Sequence, residues 1–152
     1  KPGQFKDKNN RAGATHFVDF TLVRGTLIKG FDYYQALQEP FAKAAYILFM
    51  ISEIHPFIDG NGRIARVMMN AELVKANQTR MIIPTVYRDD YLGALRRLTR
   101  NDNPAVYIRM LQRAQEFSAT LVAHSMEALE NQLTQSNAFK EHDEAKLKIL
   151  TK

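Results

Sequence analysis

The sequence predicts an all-α fold carrying one small β element. Three observations predict it. Apolar residues recur at helical spacing through most of the chain, most densely from Phe41 to Ile54. Turn-forming groups at Pro40, Asn77-Gln78, Pro84 and Asn101-Asp102-Asn103-Pro104 cut these runs into helix-sized lengths. Only residues 15–28 mix β-branched, aromatic and polar residues in short runs of the strand type.

The 152 residues suit one domain with a proper core, and a 45% apolar, 24% charged composition is that of an ordinary globular protein. Lys43, Glu53 and Asp59 interrupt the longest apolar run, so no membrane partner is expected. The start, Lys1-Pro2-Gly3, has no apolar stretch behind it and is not a signal peptide. It lacks methionine, which points to a processed chain or an excised fragment. Cysteine is absent, which excludes disulfides, thiolate zinc and a cysteine nucleophile, and suits a cytoplasmic location. Of the net charge of +5, residues 1–30 carry +4, six basic side chains against two acidic, and residues 31–130 balance at eleven each. The basic start reads as a solvated, flexible segment, and nucleic acid is not expected as a partner of this domain.

In chain order, residues 1–14 read as loop. Thr15 to Phe20 and Leu22 to Ile28 read as a short hairpin or extended flap, with His16 as surface decoration rather than a catalyst. Gln35 to Glu53 reads as helical, with Pro40 able to open a new helix. The run from Phe41 is apolar on nearly all sides, so that helix is expected to be buried. Pro56 biases His55 away from the helical region, which stops the helix and leaves His55 projecting from its end. A second helix is expected from Gly62 to about Asn77, with Ile64, Val67, Met68, Ala71, Leu73 and Val74 as its apolar stripe. Asp89 and Asp90 precede a helix through Leu98. Pro104 opens another carrying Val106, Ile108, Met110, Leu111, Ala114 and Phe117. After residue 125 the pattern thins to a charged tail, read as a loosely held amphipathic helix or the start of another domain.

The unusual chemistry is gathered in twelve residues, His55-Pro-Phe-Ile-Asp-Gly-Asn-Gly-Arg-Ile-Ala-Arg66. Gly60 and Gly62 permit a turn that aims successive N–H groups inward and opens a helix whose first N–H groups lack partners. Such a loop is a phosphate site in the physical sense of a P-loop. Arg63 and Arg66, three apart, offer guanidinium forks to phosphate oxygens. Asp59 would repel a phosphate unless it holds Mg2+. His55, with an ordinary pKa of about 6.5, suits a general base. By themselves these residues support a phosphate, a metal and a base, and no more.

At every defined position the twelve residues match the Fic family motif H-P-F-x-[DE]-G-N-G-R-x-x-R. Lys1-Pro-Gly-Gln-Phe resembles the segment before that family's flap, and Thr15 to about Leu27 resembles the flap. The resemblance covers residues 1–120 or so. It implies a Fic domain over residues 1–125, a compact helical bundle with a short β-hairpin flap at about 15–28 and the motif loop at 55–66. Residues 126–152 would be a C-terminal helical tail, cut short. It implies transfer of AMP from ATP to a Ser, Thr or Tyr hydroxyl of a target protein, with His55 as base and Asp59 holding Mg2+ on the phosphates. Gly60, Asn61 and Gly62 would form the anion hole, with Arg63 on the β-phosphate. Arg66 would meet the γ-phosphate or an inhibitory glutamate. Thr15, His16, Phe17 and Val18 of the flap would register the target by main-chain pairing, and Tyr91 would line the adenine pocket.

Alternatives stay open within the resemblance. A kinase-like branch similar to Doc has lysine where this chain has Gly62, and other members transfer other phosphate-containing groups. A non-catalytic regulatory module is a different class, which the intact motif argues against. Many members are silenced by a helix carrying [ST]-x-x-x-E-[GN]. The only glutamate here followed by Gly or Asn is Glu130, and Met126 stands where that pattern needs Ser or Thr. An inhibitory helix is therefore expected before Lys1 or in a separate antitoxin, facing Arg66.

Overall fold

In the computed structural model, which describes residues 3–150, short turns join six α-helices and one two-stranded ribbon. The chain divides into two compact units, residues 1–78 and 79–152. The all-α class with a single small β element is what the sequence predicts.

The first unit begins with the ribbon. Strands β1 (Arg11–Ala12) and β2 (Thr15–His16) pair antiparallel, Arg11 opposite His16 and Ala12 opposite Thr15. Gly13, at φ 57°, makes the turn between them. Asn9 closes the base: its amide donates to Asp19 Oδ2 at 2.7 Å, and its Oδ1 accepts from the Phe20 N–H at 2.8 Å. A 3-10 turn over Phe20–Leu22 then leads into α1 (Val23–Ala36).

This corrects the expected flap at 15–28. The hairpin spans 11–16, and the Leu22–Ile28 run is helical. Val23, Leu27 and Gly30 share one buried face at helical spacing, while Leu22 and Ile28 point out at 60% and 58% exposure. A short apolar run does not by itself distinguish strand from helix. The helix expected from Gln35 is likewise two: α1 ends at Ala36 and α2 (Pro40–Ile54) starts at Pro40.

Glu39 caps α2 by accepting from the Phe41 N–H, and proline occupies the first helical position, where no N–H is required. Seven of its side chains, from Ala44 to Ile54, are buried. Helix α1 approaches α2 closely at Gly30. Tyr46 donates its hydroxyl to the Gly30 carbonyl at 3.1 Å, and a Cβ at Gly30 would run into Met50 Sδ. Gly30→Ala is therefore expected to overpack this contact and destabilise the unit by about 1–3 kcal/mol, measurable by urea unfolding; a neutral variant would mean that Met50 swings aside freely.

Helix α3 (Asn61–Lys75) packs along α2. Its buried line is Asn61, Ala65, Met69 and Leu73, a strict spacing of four. The expected stripe is corrected here. Only Leu73 of it is fully buried, while Ile64, Val67 and Val74 are 40%, 64% and 52% exposed. Small Ala65, rather than bulkier Ile64 or Val67, lies on the buried line with Met69 and Leu73.

In the second unit a 3-10 turn at Thr85–Tyr87 leads into α4 (Arg88–Asn101), which packs on α5 (Pro104–Thr120). Pro104 opens α5 as expected, with Asn103 as its cap, but Tyr107 rather than Ile108 turns inward, and Ile108 stays 40% exposed. Helix α6 (Met126–Gln135) is capped by Ser125. Beyond it the tail is not helical. Ser136 is fully buried, its carbonyl accepts from the Lys148 N–H at 3.0 Å, and Leu147 is 5% exposed.

Candidate active site

The site is built where α2 ends and α3 begins, within the first unit. His55 caps α2 at φ 52°, ψ 58°, a left-handed conformation uncommon for a non-glycine residue. Pro56 keeps it out of the right-handed region as expected, although the result is left-handed rather than extended. Backbone held in such a region costs about 1–3 kcal/mol and gathers at functional sites. Its N–H still reaches the Ile51 carbonyl at 3.0 Å.

The His55 ring is fixed at one edge and over one face. Nδ1 lies 3.0 Å from the Ser52 carbonyl oxygen. A carbonyl only accepts, so Nδ1 carries the hydrogen and Nε2 of the neutral ring keeps its lone pair. Phe17 stacks on the ring with centroids 3.6 Å apart and planes 7° from parallel. Burial pushes the imidazole below its ordinary pKa of 6.5; the bond to Ser52 opposes that shift, and the charge of Lys6 adds to it. At neutral pH the ring is a base.

Residues 56–60 form the loop, and Asn61 closes it. The Asn61 side chain, on a residue only 2% exposed, accepts from the Phe57 N–H at 2.9 Å and donates to the Phe57 carbonyl at 2.8 Å. Gly60 then takes φ 82° and starts α3 with no side chain capping it and no acid in its first turn. An uncapped helix start of this kind favours an anion. Side chains on a helix lean toward its N-terminus, and both arginines do so here. Arg63 Nη2 lies 3.5 Å from where a Gly60 Cβ would stand, and Arg66 Nη1 3.4 Å from a Gly62 Cβ. Both are ordinary contact distances, so the two guanidinium groups lie directly against the glycine turn.

Asp59 is exposed, and its nearest cation is Arg63 at 3.5 Å, a long solvent-facing pair that contributes little to stability. Among the described residues no three His, Asp or Glu side chains cluster as a cation cage. A lone open carboxylate fits Mg2+, which takes most of its ligands from water and substrate phosphates.

The structure thus brings His55, Asp59, Gly60, Asn61, Gly62, Arg63 and Arg66 onto one loop and helix start, and sets Phe17 of the flap segment against His55. Thr15 and His16 form β2, and Val18 follows at its base. Tyr91 is buried in α4 and Glu130 is exposed in α6, both in the second unit. A cavity of about 790 Å³ in that unit, lined by residues including Arg113, Gln132 and Leu147, contains no motif residue. Sequence reasoning missed Lys6 and Asn10, which reach the loop from the N-terminal segment. Buried lysine gives no signal in a sequence, because lysine is usually solvated.

Comparison with known proteins follows the same lines. The Fic/DOC family profile matches residues 1–73. A Fido domain-containing protein from Dictyostelium discoideum is 30% identical over 99 residues, 62% of this chain and 69% of that protein. The chain belongs to the Fic/DOC family. The protein adenylyltransferase Fic of Drosophila persimilis is 41% identical over 63 residues, 41% of this chain but only 12% of the fly protein. The Fic chain thus spans about an eighth of the length of that relative. Among solved structures, a Fic domain-containing signaling protein from Bacteroides thetaiotaomicron superposes with a TM-score of 0.63 at 22% identity, over 85% of this chain and 56% of that one. Fic-1 from C. elegans gives 0.63 at 18% identity, over 89% and 38%. These likenesses establish the Fic fold.

Proposed function

We propose that this Fic-type transferase is a protein adenylyltransferase, moving AMP from ATP to a Ser, Thr or Tyr hydroxyl of a target protein. The observation that carries the reading is the His55 ring, pinned so that Nε2 is basic, four residues before the carboxylate that opens the phosphate loop. The names of the fly relatives and the glycine at position 62 support AMP transfer over phosphoryl transfer. One solved neighbour, IbpAFic2, was captured covalently tethered to Cdc42, a precedent for a protein as acceptor. Under this reading the catalytic domain covers residues 1–125, with 126–152 as an extension.

The chemistry balances simply. The target hydroxyl oxygen attacks the α-phosphorus and forms a P–O bond. The bond from that phosphorus to the β-phosphate bridging oxygen breaks, and pyrophosphate leaves. His55 Nε2 takes the hydroxyl proton. The N–H groups at the start of α3 and the Arg63 guanidinium receive the phosphate oxygens, and Arg66 receives the γ-phosphate. Asp59 would hold Mg2+, which neutralises phosphate charge when bound. Thr15, His16, Phe17 and Val18 present the target chain.

Incubation with α- or γ-labelled ATP, Mg2+ and a protein lysate tests the reading. Label from the α position alone is expected on protein. Transfer of the γ label alone would instead make the chain a kinase, and transfer of neither would remove the assignment.

A further inference from the structure

His55 is flanked by three carbonyls, those of Ile54, Pro56 and Phe57, at a point where α2 has ended and its ladder no longer supplies donors. All three are met from one short stretch of chain. The Lys6 ammonium lies 3.3 Å from the Ile54 carbonyl and 2.8 Å from Asn10 Oδ1. The Lys6 N–H donates to the Pro56 carbonyl at 2.8 Å, and Asn10 Nδ2 to the Phe57 carbonyl at 3.0 Å. Asn10 also accepts, through its own carbonyl, from the Phe17 N–H at 3.4 Å, and Phe17 is the residue stacked on His55.

We propose that Lys6 and Asn10 are positioning residues for the reaction: a buried bracket that fixes the His55 backbone from below and sets Phe17 of the flap over its ring. The role rests on His55 being the base. Lysine is rarely buried, and Lys6 is 3% exposed. Its cation meets the negative end of the α2 dipole, where a positive group is stabilising. The Asn10 side chain touches both Lys6 and the motif loop, and its backbone carbonyl holds Phe17 of the flap segment. The bracket therefore couples the target-facing ribbon to the base.

The N-terminal segment and ribbon carry Lys6, Asp7, Lys8, Arg11, His16 and Asp19, and the end of α2, the loop and the start of α3 carry Glu53, Asp59, Arg63 and Arg66. Lys6 is the one that acts on the imidazole, and Asp19 acts on Lys6. Without the Lys6 charge the imidazole titrates higher, yet still below 6.5, since burial is the larger cause.

The test is NMR of the His55 ring in the full chain, without ATP, for wild type, Lys6→Met, Lys6→Arg and Asn10→Ala. Lys6→Met is expected to raise the titration midpoint, and Lys6→Arg to restore it. Asn10→Ala is expected to weaken the ring-current shift that Phe17 imposes on His55. Folded variants should lose on the order of 10- to 100-fold in kcat with KM for ATP unchanged. A His55 midpoint and ring-current shift identical to wild type in Lys6→Met and Asn10→Ala overturn the proposal. Should Lys6→Met not fold, an unchanged ring-current shift in Asn10→Ala does so alone. These signals are read without turnover, so a failed transfer assay and a failed bracket are separate results.

Discussion

His55→Ala is expected to abolish transfer to protein while leaving ATP binding intact. A positioned general base contributes about 10²–10⁴ in rate, so the variant should fall at least into that range. The ring's partners Ser52 and Phe17 are not phosphate-binding groups, which is why nucleotide affinity should persist. His55→Gln is the sharper control, since an amide cannot take up the proton at neutral pH. The pH profile supplies the sign. Burial holds the His55 pKa below 6.5, so the base form is complete at neutral pH, and kcat/KM should fall only as pH drops through that lower value. The same shift makes stability decline with acid, because between the lower value and 6.5 the unfolded chain binds the proton more readily. Transfer at the wild-type rate by His55→Ala, or an acid limb above 6.5, would remove His55 from the mechanism.

The motif loop was legible because its chemistry is written in adjacent residues. Gly60 suits a turn, Pro56 ends a helix, and the helix expected from Gly62 starts one residue earlier, at Asn61. What the sequence hid is long-range. Lys6 and Ile54 are 48 positions apart, and nothing in either predicts that one ammonium would serve the other's carbonyl. The α3 stripe was misread for a related reason. Periodicity finds an apolar face, but which face turns inward depends on the partner, and α2 accepts the small side of α3, Asn61 and Ala65, in preference to Ile64 and Val67. The sequence sets the flap a few residues late because Val23 and Leu27 suit a strand and a helix equally; the helix shows in the structure as Val23, Leu27 and Gly30 buried on one face. Proline is the clearest helix-opening signal in the chain: α5 starts at Pro104 as the sequence indicates, and α2 starts at Pro40, which the sequence marks only as able to open a helix.

Asn61→Ala is the second large effect, and it separates two roles that the motif merges. In the phosphate reading Asn61 belongs to the anion hole. Its side chain, however, is committed inward, with both arms on the Phe57 backbone, while its own N–H stands at the uncapped start of α3. Alanine keeps that N–H. It removes the partner of the Phe57 N–H, whereas the Phe57 carbonyl still receives Asn10 at 3.0 Å. One part-buried donor left unpaired costs up to about 1–3 kcal/mol, which for a chain of this size lowers Tm by up to roughly 10 °C. The released loop should then let Asp59 and Gly60 drift relative to His55, and a displacement near 1 Å costs about 100-fold in rate. Asn61→Asp retains the acceptor for Phe57 but sets a carboxylate against the Phe57 carbonyl and beside the phosphates, so it should weaken ATP binding more than alanine does. Thermal unfolding and ATP titration of the two variants decide the matter. If Asn61→Ala keeps its Tm and loses ATP affinity, the side chain serves the nucleotide directly and the clip is incidental; a lowered Tm with affinity largely retained makes Asn61 the latch that gives the loop its shape.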